Sequence, residues 1–161
     1  MRVLGGLLLC TALVTVPLHA QRTTLTVSGF PVVFAAPTAA DLDGGTLSSS
    51  TATTFTVEVT AGQPIARLTT VSIRCQAPCP ATGSMSMAAL LWRRADLGVW
   101  TPLTTMDVPI ESRIVGRRLP LPQSNNPWSN SLYWQALADW TSNAPGANTF
   151  NIVTTLTVTT P

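Results

Sequence analysis

The chain has 161 residues, of which nine are arginine, none is lysine, seven are acidic and one, His19, is histidine. If the first twenty residues are cleaved, eight arginines (nine less Arg2) face seven acids, and this net charge of about +1 gives little attraction for nucleic acid or anionic membrane. Without histidine or lysine in the remaining chain, a Ser-His-Asp triad and a Ser-Lys dyad are both excluded. The sequence therefore favours a protein that is not an enzyme and predicts no cofactor.

The start of the chain has the layout of a secretory signal peptide. Arg2 is followed by an apolar run that extends to Leu18 and ends in the small residue Ala20. The run is short for a membrane span, and no later run is long enough to cross a bilayer. We predict a cleaved signal peptide at 1–20, a single domain at 21–161, and a location that is secreted, periplasmic or at the cell surface.

The first half of this domain alternates apolar and polar residues in short stretches. This pattern predicts strands at 24–28, 53–60 and 68–75, with Phe55, Val57 and Val59 facing inward. Residues 31–34 are predicted as an edge strand because they begin with proline, and 36–45 as a loop. Within that loop, 41–45 resembles the opening of a calcium site, but alanine stands where the bidentate glutamate belongs, which favours a surface turn.

The second half continues the pattern. The pattern at 85–93 fits either a buried strand or a helical turn. We predict a hairpin turn at 94–98 that leads into 99–103, and another strand at 107–115. Residues 116–129 are predicted as the longest loop. Two long extended segments, 132–140 and 148–159, follow on either side of a turn at 141–146 that contains a Pro-Gly pair, and we predict that they form a hairpin.

Seven to nine short strands and no convincing helix indicate an all-β protein. The spacing of the turns is typical of an antiparallel β-sandwich with immunoglobulin-like topology. A closed barrel is the alternative.

Two cysteines remain in the domain, Cys75 and Cys79. In an exported protein such a pair is normally oxidised, so we predict a disulfide that closes a short loop containing proline. Pairing with another chain and free thiols are the alternatives, whereas a zinc site lacks enough ligands. The sequence predicts no metal site.

Tryptophan is the most informative residue type for binding. Trp134 is predicted to lie in the core, whereas Trp100 and Trp128 lie in or beside predicted loops and Trp140 ends a strand. Exposed tryptophans stack on sugar rings or anchor protein partners, so these three are candidate contacts; the alternative is that they pack over the ends of the sandwich. The arginine pairs 93–94 and 117–118 are more simply solvated than anion-binding.

Both ends of the domain resemble a known family. The start, with 25–27, 31–34 and 54–57, and the end, with Trp140, Pro145-Gly146 and a Thr-rich strand at 148–159, resemble spore coat protein U-like and fimbrial-type secreted bacterial domains. The cysteines that would bracket the early strands of that pattern are missing. The resemblance implies an extracellular structural or surface-assembly role, and it carries over no catalytic residue.

Two functions are therefore expected. The first is a structural or adhesive component of the bacterial envelope that associates with itself or with another envelope protein; it should show an exposed edge strand or an apolar patch. The alternative is a carbohydrate-binding module, which should show coplanar exposed tryptophans. Because the strand pattern begins soon after Ala20, we expect a self-complete domain rather than a pilin that donates a strand.

Overall fold

The computed structural model describes residues 23–59, 67–115, 126–140 and 148–159. The predicted leader, the turn at 141–146 and the arginine pair 117–118 lie outside these ranges. Within them the protein is mostly β, with nine strands in two antiparallel sheets. The strands are β1 (Thr23–Ser28), β2 (Thr46–Ser48), β3 (Thr53–Val59), β4 (Arg67–Cys75), β5 (Leu90–Arg94), β6 (Thr101–Pro102), β7 (Val108–Val115), β8 (Trp128–Leu137) and β9 (Ile152–Thr159).

The larger sheet is organised around β8. Its strand order is β1-β3-β8-β5-β6, and β2 also pairs with β8. Along one edge of β8, β3 pairs with 128–132 and β2 with 135–137, while β5 pairs with 132–136 along the other edge. Every second residue of β8 faces inward and is apolar or amide-bearing, so the strand at the centre of the sheet also supplies much of its buried face.

The smaller sheet has the order β7-β4-β9. β4 lies at its centre, and its pairing with β7 shifts register between Val71 and Ser72, which marks a bulge. β9 pairs with β4 along its whole length, from Ile152 opposite Cys75 to Thr159 opposite Leu68.

This topology corrects the predicted terminal hairpin. β8 and β9 are consecutive strands, but they belong to different sheets and do not pair with each other. Alternation shows which face of a strand is buried, and both strands do face the core. It does not show the neighbouring strand, because two strands on opposite sides of one core present the same alternating pattern.

Buried residues of the two sheets form one hydrophobic cluster. Phe55 and Val57 of β3 are inaccessible to solvent, as are Val71 of β4 and Val115 of β7. The inward positions predicted for β3 are confirmed, and Trp134 is in the core as predicted, with its Nε1 donating a 2.9 Å hydrogen bond to Thr53 Oγ1. The indole N–H, which is the only polar group of the ring, therefore has a hydrogen-bond partner inside the core.

Two local predictions differ from the structure, and one open alternative is resolved. Residues 31–34 form no strand, and a short helix, α1 (Ala39–Gly44), stands where a loop was predicted. The helix begins with a capping box, in which the Thr38 hydroxyl accepts from Asp41 N–H and the Asp41 carboxylate accepts from Thr38 N–H. The ambiguous stretch 85–93 contains both expected forms, a 3₁₀ turn at Met87–Ala89 followed by β5.

The predicted disulfide is confirmed. Cys75, the last residue of β4, is bonded to Cys79, with 6.0 Å between their Cα atoms. The bond ties the loop that follows β4 to the end of a buried strand.

Candidate functional site

One flank of the molecule is open, where the edge strands β1 and β9 of the two sheets come together. β9 uses one edge for β4, and no residue in the described part of the chain pairs with its other edge. A strand edge of this kind presents a row of backbone N–H and C=O groups to any chain that lies alongside it. In the smaller sheet, β7 and β9 are the two edge strands.

The core-facing side chains of β9 are less covered than those of its neighbour. Val71 and Ile73 of β4 are completely buried or nearly so. Ile152 and Leu156 of β9 pack against the same cluster but are only partly buried, and Val158 is 40% exposed. The hydrophobic face thus continues to the edge of the sheet without being fully covered.

An apolar cleft of about 1150 Å³ lies at the start of β9. Its lining comes from both sheets and from the segment 30–37 that follows β1. Its large apolar side chains include Phe30, Val32, Phe34, Met85, Phe150 and Ile152. Clefts with a mainly apolar lining are typical sites for apolar ligands or side chains.

Gly29 directs the chain from β1 into the wall of this cleft. Its φ of +87° is in the left-handed region, and a Cβ there would lie 2.3 Å from the carbonyl oxygen of Ala52. Only glycine fits such a position. The turn places Phe30 with its ring centroid 6.3 Å from that of Trp134, at the floor of the cleft.

The opposite flank is closed by an ionic cluster between β5, β7 and β8. Glu111 of β7, whose side chain is only 7% exposed, pairs with Arg113 of its own strand and lies 3.6 Å from Arg94 of β5. Asn130 of β8 donates a 2.8 Å hydrogen bond to the same carboxylate. Arg94 also pairs with Asp96 and donates to the carbonyl oxygen of Ile110, so charged side chains join the two sheets here.

Within this cluster, the pKa values of Asp96 and Arg94 are shifted from the ordinary values of their groups. The hydrogen bond from Arg94 lowers the pKa of Asp96, and the same bond to Asp96 raises the pKa of Arg94. Each partner stabilises the charged form of the other. The pKa of Asp41 is also lowered, by its capping hydrogen bonds from Thr38 at the start of α1.

The three candidate tryptophans differ in how far they are exposed. Trp128 was predicted to lie in or beside a loop, but it is the first residue of β8 and is 3% exposed, because it packs edge-on against Phe55 and under Arg113. Trp140 is 62% exposed, and its Nε1 donates to Asp43 in α1. Trp100 is half-buried. Trp128 is therefore not available for surface contacts, whereas Trp140 and part of Trp100 are.

Trp100 takes part in an arrangement that the sequence did not predict. The guanidinium carbon of Arg93 lies 4.9 Å from the Trp100 ring centroid and 5.4 Å from that of Tyr133. Arg93 and Tyr133 are directly opposite each other in the β5–β8 pair. Their pairing depends on the strand register, which the sequence does not give.

Comparisons with known proteins give no match to any family model, curated protein or solved structure.

In the described ranges, no helix has the length and apolarity needed to cross a membrane. The same ranges hold no group of three or more potential metal ligands. Asp41 and Asp43, the calcium candidates weighed above, instead cap α1 and hold Trp140.

Proposed function

We propose that this protein is an exported, non-enzymatic β-sandwich with immunoglobulin-like topology, and that it is a structural or adhesive component of the bacterial envelope. It would assemble by accepting an extended segment along the free edge of β9. The observation that carries this proposal is an edge of β9 that pairs with no described residue and lies beside an apolar cleft. Export is supported by the leader pattern and by the disulfide, which is typical of oxidising compartments.

The strand order supports the immunoglobulin-like part of the proposal. From β3 onward, the chain passes repeatedly between the sheets: β3, β5, β6 and β8 lie in one, and β4, β7 and β9 in the other. Immunoglobulin-like sandwiches change sheets in this way through connections across their ends. The shared hydrophobic cluster supports face-to-face packing of the two sheets.

The open edge favours assembly over the self-complete domain expected from the start of the strand pattern. On β7, the other edge strand of the smaller sheet, Ile110 and Val115 are buried, which is not true of any inward residue of β9. The partial burial of the β9 residues leaves apolar surface that an added strand would remove from water, at about 25 cal/mol for each Å² buried. Main-chain hydrogen bonds to β9 would give such an addition its direction and register.

Two adjacent threonines of β9 provide a test. Thr154 and Thr155 lie opposite Ile73 and Ser72, so in this antiparallel pair one of them directs its N–H to β4 and the other to the free edge. Proline at the position whose N–H points to β4 removes a hydrogen bond of the existing sheet. Proline at the position whose N–H points to the free edge leaves the sheet intact and blocks only an incoming strand. The variants Thr154→Pro and Thr155→Pro therefore form a matched pair with identical chemistry.

We expect the secreted wild-type protein to form concentration-dependent higher assemblies in sedimentation velocity. One proline variant should lose thermal stability, while the other should keep it and remain monomeric. A wild-type protein that stays monomeric at all concentrations, or a stable variant that assembles like the wild type, would overturn assembly through β9.

A further inference from the structure

We propose that the outer face of the larger sheet carries a binding site for acidic polysaccharide, centred on Arg93 and flanked by Trp100 and Tyr133. The ligand class is a sugar polymer with carboxylate groups, such as a polyuronate. The site lies on the face that points away from the core, since Arg93 alternates with the buried Trp92 along β5. It is separate from the edge of β9, so it does not depend on the assembly proposed above.

Arg93 is held in place by aromatic rings, and no acidic side chain of the described residues neutralises it. Other arginines of the described chain form ion pairs: Arg74 with Asp107, Arg94 with Asp96 and Glu111, and Arg113 with Glu111. Arg93 forms no such pair in the described residues, and its Nε is buried there without a hydrogen-bond partner. Its guanidinium instead lies over two aromatic rings.

This arrangement prepares the guanidinium for a carboxylate. Aromatic faces attract the cation and restrict the rotation of a long side chain, which lowers the entropy lost on binding. The planar guanidinium presents parallel N–H donors that match the two oxygens of a carboxylate. Because Arg93 is half-buried, water screens its interaction with a bound carboxylate less than it would screen a fully exposed pair.

The neighbouring surface suits a sugar polymer. Tyr133 is 40% exposed and offers apolar ring surface beside the charge, to which the C–H groups of a sugar bind. Beyond it, the outward positions of β8 and β3 carry hydroxyl groups, including Ser131 and Thr54, whose oxygens are 3.1 Å apart. A hydroxyl-bearing sheet face next to an arginine with aromatic neighbours is complementary to an extended, hydroxylated, anionic chain.

The test compares three polymers by isothermal titration calorimetry at moderate ionic strength, using the secreted protein. Polygalacturonate carries carboxylates on sugar rings, its methyl-esterified form has the same rings without charge, and polyglutamate has the charge without sugar. We expect the protein to bind polygalacturonate and to bind the other two polymers at least about tenfold more weakly, as expected when a charge-assisted hydrogen-bonded contact is lost. Equal binding of the ester, equal binding of polyglutamate, or no binding of any polymer overturns the proposal.

Variants assign the site. Arg93→Gln should weaken polygalacturonate binding by about tenfold or more, and Arg93→Lys should do so partially, because it keeps the charge without the planar donors. Arg74→Gln, on the other sheet, is the matched control and should bind within about twofold of the wild type. Circular dichroism checks that each variant is folded. Wild-type affinity in Arg93→Gln, or the same loss in Arg74→Gln, places binding elsewhere and overturns the site.

Discussion

The two flanks of the molecule differ in how the sheets meet. Between β5 and β7, the nearly buried carboxylate of Glu111 lies among Arg94, Arg113 and Asn130 and joins the sheets through directed polar contacts. Between β1 and β9, apolar side chains such as Leu25 and Leu156 are only partly buried, and the edge of β9 is free within the described residues. Polar side chains join the two sheets at one flank, whereas apolar side chains at the other flank are only partly covered.

The largest expected effect compares two leucines. Leu132 of β8 is 1% exposed, whereas Leu156 of β9 is only partly buried beside the open flank. Leu132→Ala should lower the free energy of unfolding by about 2–5 kcal/mol, because it leaves a cavity in a fully packed region. Leu156→Ala should cost about 1 kcal/mol, since part of the side chain is already in water.

Urea denaturation of both variants, followed by tryptophan fluorescence, measures the two costs. Equal losses would show that the flank at β9 is as well covered as the centre of β8, and the distinction between the flanks would fail. For a cleaner comparison, both proteins should be measured at a concentration where the wild type is monomeric.

The closed flank can be weakened at Glu111. Glu111→Gln removes the charge that faces Arg94 and Arg113 but keeps a similar shape, and should cost about 2 kcal/mol through the loss of hydrogen bonds between charged groups. Glu58→Gln, at an exposed position of β3, is the matched control and should change stability by less than about 0.5 kcal/mol. If the two variants are equally stable in thermal unfolding, the ionic cluster does not stabilise the closed flank.

The smallest effect is a pH dependence at Asp96. Because the pKa of Asp96 is lowered in the folded protein, its contribution is present above the unfolded value of about 3.9 and is lost as the pH falls through the lower, folded value. The residue is largely exposed, so the contribution should be under about 1 kcal/mol. Asp96→Asn should be less stable than the wild type at neutral pH, with the difference shrinking in strong acid.

Melting temperatures of the two proteins from pH 7 down to pH 2 measure this difference. A constant gap across the range would mean that the carboxylate of Asp96 stabilises the flank by packing and not by its charge.

Much of the secondary structure could be predicted from alternation alone. The inward residues of β3, the core position of Trp134 and the pairing of Cys75 with Cys79 all follow from local pattern or from the presence of a single cysteine pair. The short helix α1 was missed because two acids and two glycines also fit a turn. Its signal was the capping box formed by Thr38 and Asp41.

The candidate sites were harder to predict because each combines residues distant in sequence. Trp128 was expected near a loop, but its place at the start of β8 buries it against Phe55 of β3. The aromatic surroundings of Arg93 depend on the register that sets Tyr133 opposite it. No local pattern contains a cross-strand register, since that register results from how strands with equivalent patterns pair.

By itself, the sequence determined that this is a β protein with short alternating strands, one disulfide, a large apolar core and few charged groups, because these depend on residue type and spacing. Only the tertiary structure decided that β8 and β9 separate into different sheets, that Glu111 joins the sheets and that one edge of β9 has no partner among residues 23–59, 67–115, 126–140 and 148–159. A strand's own residues specify which face is buried, whereas its neighbours are selected by the packing of the whole chain around one core.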